Sequence, residues 1–299
     1  MSGSRILPLR IVTLVSALAC LVQAVPAFAE DVALSLRPTP ERVKQGGIAT
    51  LRIGGGLSPE RFRLRVGSRA ISLDPWNAEG RRLVRIGVDL EQPPGPLELV
   101  LEGTTNAGRP ASAKARLLVL DAGYAVQRLS VPRSFTELDA ATLERVAREK
   151  ATLDRLWETA TAMPLWRTPF RTPLENTVRG AGFGLRRVIN GEPRAPHTGL
   201  DFSAPAGTPV LAANAGVVVL AEEHFFAGKS LVLDHGEGLY TMYFHLEDSL
   251  VRSGQRVAQG AMIGRVGGTG RATGPHLHWG ARLFRARIDP EELLRLAPE

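Results

Sequence analysis

Gly268-Thr269-Gly270-Arg271-Ala272-Thr273-Gly274-Pro275-His276-Leu277-His278 ends on two histidines two residues apart. Glycine and proline punctuate the first eight positions as a loop. The run from His276 to Phe284 that follows reads as a short strand. Alternate residues of a strand share a face, so His276 and His278 point to one side. Upstream, His197 and Asp201 stand four residues apart, a spacing that also puts both on one side of a sheet. Two such strands laid together bring two imidazoles and a carboxylate onto one metal ion. Either pair by itself occurs by chance in many proteins, and spacing alone leaves open which closing histidine is the ligand.

Two histidines and one carboxylate suit zinc, Zn2+, and a fourth position left to water marks a catalytic rather than a closed structural site. Such a metal polarises a carbonyl and makes water nucleophilic near neutral pH. All six histidines lie between His197 and His278. From Gly180 onward glycine-rich turns separate short apolar runs at Pro209 to Ala212, Gly216 to Leu220, Ser230 to Leu233 and Tyr240 to His245. These predict a β domain around the histidines.

A specific resemblance follows from the order of these motifs. His197-Thr198-Gly199-Leu200-Asp201-Phe202, then Ala204-Pro205-Ala206-Gly207-Thr208-Pro209-Val210, resembles the first motif of the lysostaphin-type (LytM, M23) zinc metallopeptidases. His235-Gly236 with Gly238, Tyr243-Phe244-His245-Leu246, Gly254-Gln255 with Val257, Gly260 with Ile263-Gly264, and the closing run complete the series from about Phe183 to Pro290. The resemblance implies a C-terminal antiparallel β-sheet LytM/M23 domain of the duplicated-hybrid-motif type. It implies His197, Asp201 and His278 as metal ligands, with His245 and His276 as catalytic groups. Between them these two deprotonate water, stabilise the oxyanion and protonate the leaving amine; a positioned imidazole contributes about 10²- to 10⁴-fold in such work. One departure concerns a tyrosine that some relatives place before the first motif: Asn190 and Gly191 occupy that stretch. Gly182-Phe183-Gly184, with Arg186 and Arg187, is similar to the family's entrance segment, and the arginines can meet a substrate carboxylate. His235 is expected to be structural and His224 exposed.

Working toward the N-terminus, Leu165, Trp166, Pro169 and Phe170 form a Pro-rich connector in which the aromatic pair packs between domains. Asp139 is placed to cap a helix with Leu143, Val146, Leu153, Leu156 and Trp157 at helical spacing, ended by Pro164. From Val32 to Leu120 the pattern has period two: Ala49, Leu51, Ile53; Phe62, Leu64, Val66; Val84, Ile86, Val88, Leu90; Leu97, Leu99, Leu101. Turn signals at Gly54 to Gly56, Asn77 to Gly80 and Pro93 to Gly95 separate these runs, as in an immunoglobulin-like β-sandwich. The sandwich stretch contains no histidine. The predicted architecture is therefore mainly β: a leader over 1–29, the sandwich over 30–122, a helical and Pro-rich linker over 123–172, and the peptidase domain over 173–299.

Arg5 and Arg10, the apolar stretch Ile11 to Val25 and Ala27-Phe28-Ala29 read as a cleaved secretory signal, too short for a span. Cys20, the single cysteine, lies within it in a context that fits lipid attachment poorly. The mature chain then has neither thiolate ligands nor disulfides. The formal net charge is +7, two of which belong to the leader; without a Lys-rich run interleaved with aromatics it does not point to nucleic acid. The expectation is an exported protein of the periplasm or cell envelope, with no stable membrane span after signal cleavage. Its partner is peptidoglycan, and the resemblance implies a secreted zinc-dependent endopeptidase hydrolysing peptide cross-bridges, with D-alanyl to diaminopimelate bonds favoured. The alternative is a non-enzymatic LytM-type activator of cell-wall amidases, which the five intact site residues disfavour. The helix and aromatic connector just before the groove suggest an intramolecular contact of the N-terminal half or linker that restricts access to it.

Overall fold

Leu51, Ile53, Leu64 and Val66 are buried while Arg52, Arg63 and Arg65 between and beside them face water, as strands with one face in a core require. The computed structural model describes residues 34–298 apart from 56–61, 73–82, 105–107, 131–137, 159–160, 162 and 176–177. The leader, Cys20 and the Asn77 to Gly80 turn lie outside these. Eight strands come first: β1 (Ser35–Thr39), β2 (Arg42–Lys44), β3 (Ile48–Gly54), β4 (Arg63–Val66), β5 (Arg69–Ser72), β6 (Leu83–Gly87), β7 (Gly95–Thr104) and β8 (Pro110–Leu120). They form two sheets, β1-β3-β6 and β2-β8-β7-β4-β5. Side chains from both enclose one apolar cluster, including Leu36, Leu51 and Ile86 from the first and Leu64, Leu99 and Leu117 from the second.

The next segment contributes β9 (Val126–Leu129) and α1 (Ala140–Leu156). Asp139 caps α1, its carboxylate accepting the Thr142 N–H at 2.7 Å. The helix stops at Leu156, well before Pro164, with Trp157 at its C-cap. Its apolar positions are not a buried face: no residue of α1 is buried and Leu143 is exposed. Only Leu153, Leu156 and Trp157 pack, against Leu220, Val232, Tyr240 and Met242. The Glu149 carboxylate also accepts the Phe225 N–H at 2.9 Å.

The remaining strands are β10 (Val178–Arg179), β11 (Arg186–Ile189), β12 (Glu192–Pro193), β13 (Gly199–Ser203), β14 (Pro209–Leu211), β15 (Gly216–His224), β16 (Gly228–Asp234), β17 (Leu239–Ser249), β18 (Arg256–Val257), β19 (Met262–Val266), β20 (His276–Leu283) and β21 (Ala286–Ile288), with α2 (Pro290–Leu294) last. The large sheet runs β10-β13-β20-β17-β16-β15-β18, and β14, β19 and β21 attach to it. Trp279, Tyr243 and Leu277 are fully buried in its core, and each large side chain so buried contributes about 2–3 kcal/mol. Asn190 and Gly191, with φ of 53° and 84°, turn β11 into β12. Left-handed backbone at both positions is what an Asn-Gly hairpin provides.

Residues from Asp31 onward cluster as one compact unit, because hydrogen bonds and ion pairs tie the sandwich to the large sheet. The Arg287 guanidinium donates to Asp89 at 2.6 Å and to Glu91 at 2.7 Å, and the Arg287 N–H donates to Asp89 at 2.9 Å. The Tyr124 hydroxyl donates to the Gln45 carbonyl at 2.7 Å, and Arg85 stacks over Trp166 at 5.2 Å. Trp166 and Phe170 are themselves buried in the main core. Burial alone raises the Asp89 carboxyl, but the Arg287 side chain and the Glu91 and Arg287 N–H groups outweigh it and hold it below its ordinary value.

A group whose pKa is depressed on folding contributes stability above its unfolded value, about 3.9, and loses it as pH falls through the folded value. Asp89→Asn is therefore expected to cost about 2 kcal/mol at pH 7, within the range for hydrogen bonds to charged groups. The gap to wild type should narrow in acid below about pH 4. Urea unfolding of both proteins at pH 7 and pH 3 checks this; a gap of equal size at both pH values contradicts it.

Candidate metal centre and groove

The centre is built where β13 and β20 pair. Asp201 lies directly opposite His278, and Ser203 opposite His276. His197 is not on this strand. It sits in the segment ahead of β13, held by its own N–H to the Leu185 carbonyl and by the Gly184 N–H to its carbonyl, at 2.9 and 2.8 Å. Strand alternation therefore does not align His197 with Asp201; the loop carries the imidazole in from one side.

Three donor atoms converge. His197 Nε2 is 2.9 Å from Asp201 Oδ1 and 3.0 Å from His278 Nδ1, and His278 Nδ1 is 3.0 Å from the same oxygen. His197 Nδ1 donates to the Gly182 carbonyl at 2.8 Å, which leaves Nε2 with its lone pair toward the cluster. A tetrahedral ion with bonds of about 2.0–2.2 Å places its donors about 3.3–3.6 Å apart, a few tenths of an ångström wider than these spacings. Burial pushes the Asp201 carboxyl up, but hydrogen bonds from His197 and His278 outweigh it and keep it well below the usual carboxylate range. Burial lowers the His278 imidazole. The Asp201 carboxylate and the two imidazoles that meet it form a group that can hold a metal ion, and the donor set fits one.

Two more imidazoles stand beside them. His276 Nδ1 donates to the Gly274 carbonyl at 2.9 Å, and its Nε2 lies 4.0 Å from Asp201 Oδ1. His245 Nδ1 donates to the Thr269 carbonyl at 2.9 Å, and its ring centroid is 4.6 Å from that of His276. Each backbone acceptor fixes the tautomer in which Nε2 is the basic nitrogen. Burial lowers His245 to about 4, so it is neutral at pH 7.

Backbone geometry explains how His245 reaches the site. Its φ is 61°, a left-handed conformation that costs a non-glycine residue about 1–3 kcal/mol. Regular alternation would turn Phe244 and His245 to opposite faces; the distortion lets both line the same groove. Phe244 stacks on His278 with centroids 5.4 Å apart and planes at 5°. Pattern reading missed the roles of Phe244, Thr269, Gly182 and Gly274, although all four stand within the quoted motifs. A groove of about 1280 Å³ surrounds the centre, lined also by Arg187, Arg271, Gln127 and Leu129.

The remaining histidines lie outside the cluster. His235 is fully buried, with Nδ1 donating to the Ala215 carbonyl and Nε2 meeting the Thr241 hydroxyl, both at 2.7 Å. The Thr241 hydroxyl continues to Tyr243, which accepts the Ala213 N–H, so His235 is a structural residue. His224 is buried, not exposed, at 5% of its surface. The β15–β16 pairing extends to His224 opposite Gly228, so the residue belongs to the sheet rather than to a loop.

Residues 195–290 match the model of Peptidase family M23. A solved structure described as an M23 peptidase, from Pseudomonas aeruginosa, superposes with a TM-score of 0.60 and 30% identity, covering 84% of this chain and 94% of that one. The chain belongs to peptidase family M23. Among curated M23-like relatives, Peptidoglycan DD-endopeptidase ShyA of Vibrio cholerae is 51% identical over 111 residues, 36% of this chain and 26% of ShyA. Peptidoglycan DD-endopeptidase ShyC of the same organism is 43% identical over 111 residues, 36% of this chain and 25% of ShyC. The aligned part thus spans about a quarter of these relatives' length.

In this M23 chain Gly199 is a packing requirement. A Cβ there would stand 2.5 Å from the Trp279 carbonyl oxygen and 2.7 Å from His278 Nε2, so the ring or the strand must move. Gly199→Ala is expected to weaken metal binding about 10- to 100-fold, the usual cost of disturbing support for a ligand. Competition with a chromophoric chelator measures it, and an unchanged affinity contradicts the packing argument.

Proposed function

We propose that this chain is an exported zinc metalloendopeptidase that hydrolyses peptide cross-bridges of bacterial peptidoglycan at D-alanyl to diaminopimelate bonds. The observation that carries this reading is the pairing of a three-donor cluster with two tautomer-fixed imidazoles in one open groove. The names of the relatives ShyA and ShyC, both peptidoglycan DD-endopeptidases, support the substrate class. His197, Asp201 and His278 hold the metal. When bound, zinc polarises the scissile carbonyl and lowers the pKa of a water ligand.

The chain's own groups do the proton work. His245 and His276, each with Nε2 as its basic nitrogen, between them accept a proton from the attacking water, hydrogen-bond the developing oxyanion and return a proton to the leaving amine. The Thr269 and Gly274 carbonyls keep both rings in the tautomer that this requires. Phe244, stacked on His278, fixes the plane of that ligand. Export rests on the reading of residues 1–29; among the described residues no helix is long and apolar enough to cross a membrane.

Purified sacculi provide the test. Wild type should release fragments whose mass spectra show new D-alanyl termini and free diaminopimelate amines. His278→Ala should lose bound zinc and activity together. His245→Ala should keep zinc and lose about 10²- to 10⁴-fold in rate, the usual contribution of a positioned acid–base group. A zinc-loaded wild type that opens no cross-bridge, but stimulates a cell-wall amidase, contradicts the hydrolase reading and favours a regulator.

A further inference from the structure

β9 and β11 run parallel, with Arg187 opposite Gln127 and Ile189 opposite Leu129. Residues two apart on a strand share a face, and all four of these line the groove around the metal centre. The wall therefore has two parts: a guanidinium beside a carboxamide, then two aliphatic side chains. Arg187 makes no side-chain hydrogen bond or ion pair among the described residues. Arg271, the other arginine of the groove, instead lies over the Phe226 ring at 5.6 Å. Among the described lining residues the one carboxylate is Asp201, whose oxygen is committed to the donor cluster.

An uncompensated guanidinium inside a cleft draws anions toward it, and its planar fork takes a carboxylate through two parallel N–H···O bonds. The Gln127 amide adds a donor at the same level of the wall. Ile189 and Leu129, the latter 38% exposed, offer apolar cover one step further along. That combination matches a carboxylate at the end of a short aliphatic chain.

We infer that the β9–β11 wall is a carboxylate subsite, in which Arg187 and Gln127 bind a free carboxylate of the peptide substrate while Ile189 and Leu129 cover its methylenes. The inference rests on the reading of the groove as a peptide-binding site. Its consequence is that β9, contributed by the segment between the sandwich and α1, is part of substrate recognition rather than a spacer.

The full zinc-loaded chain is tested with a peptide dimer cross-linked from D-alanine to diaminopimelate, its carboxylates either free or amidated. Affinity is read by calorimetric titration and turnover by chromatography. Wild type should favour the free acid about tenfold in both measures. Arg187→Gln should bring that ratio to about one, and Gln127→Leu should reduce it about threefold. A ratio unchanged in Arg187→Gln overturns the subsite, as does equal affinity of wild type for the two forms. A rise in turnover of both forms in Arg187→Gln also overturns it, because the wall would then be an obstruction. Selective binding of the free acid without cleavage leaves the subsite standing and removes the hydrolase reading; cleavage of both forms at equal rates does the reverse.

Discussion

The antiparallel pairing of β13 with β20 places Asp201 across from His278, and the centre depends on that register. Directly opposed residues on one face bring their Cβ atoms to about 5 Å, near enough for a carboxylate and an imidazole to share one ion. A slip of one residue would turn Asp201 to the other face, among Leu277 and the core. The register is held from both sides: Leu200, Phe202, Leu277 and Trp279 are buried and cannot exchange places with their polar neighbours. The hydrophobic pattern that folds the sheet is thus the same constraint that assembles the donors.

His276 sits on β20 opposite Ser203, but the other accessory imidazole arrives by less regular means. β17 leaves its ladder register between Leu246 and Asp248, and His245 adopts a positive φ. Such strain persists only where surroundings impose it. Here the Ala227 carbonyl accepts the His245 N–H at 2.8 Å, and the Thr269 carbonyl accepts the ring. The Thr269 hydroxyl donates to the Leu246 carbonyl at 2.8 Å and accepts the Lys229 N–H at 2.9 Å. One threonine in the glycine-rich loop therefore anchors both the loop and the histidine that faces it.

The N-terminal half is bound to this machinery at two levels. Asp89 and Glu91 grip Arg287 beyond the far end of β20, while β9 extends the small sheet that forms part of the groove. Gly87 has little space for a side chain: a Cβ there would meet Ile288 at 2.7 Å and Ala286 at 2.9 Å. Close packing transmits displacement rather than absorbing it, so a displacement of Gly87 is felt at β21.

Local pattern determined much of this protein. Period-two alternation at Leu51, Leu64, Ile86 and Leu99 marked strands, Asp139 marked the start of α1, and His197, Asp201 and His278, which the fold brings together, all stand within the quoted motifs. β1, β2, β5 and β9 were not legible, because short edge strands carry too few apolar residues to show a period and gain their hydrogen bonds only from a neighbour. The Asn190-Gly191 hairpin was present as a local signal, but its parallel partner β9 lies far earlier in the chain. His224 looked exposed beside Glu222 and Glu223, yet the β15–β16 ladder buries it. His197 reaches the cluster from a loop and His245 through a strained strand, positions set by carbonyls of Leu185, Gly182, Ala227 and Thr269 that no side-chain pattern encodes. Sequence fixed which groups are available; backbone hydrogen bonds between distant segments decided which of them meet, because a carbonyl's direction is a property of the folded chain and not of its residue type.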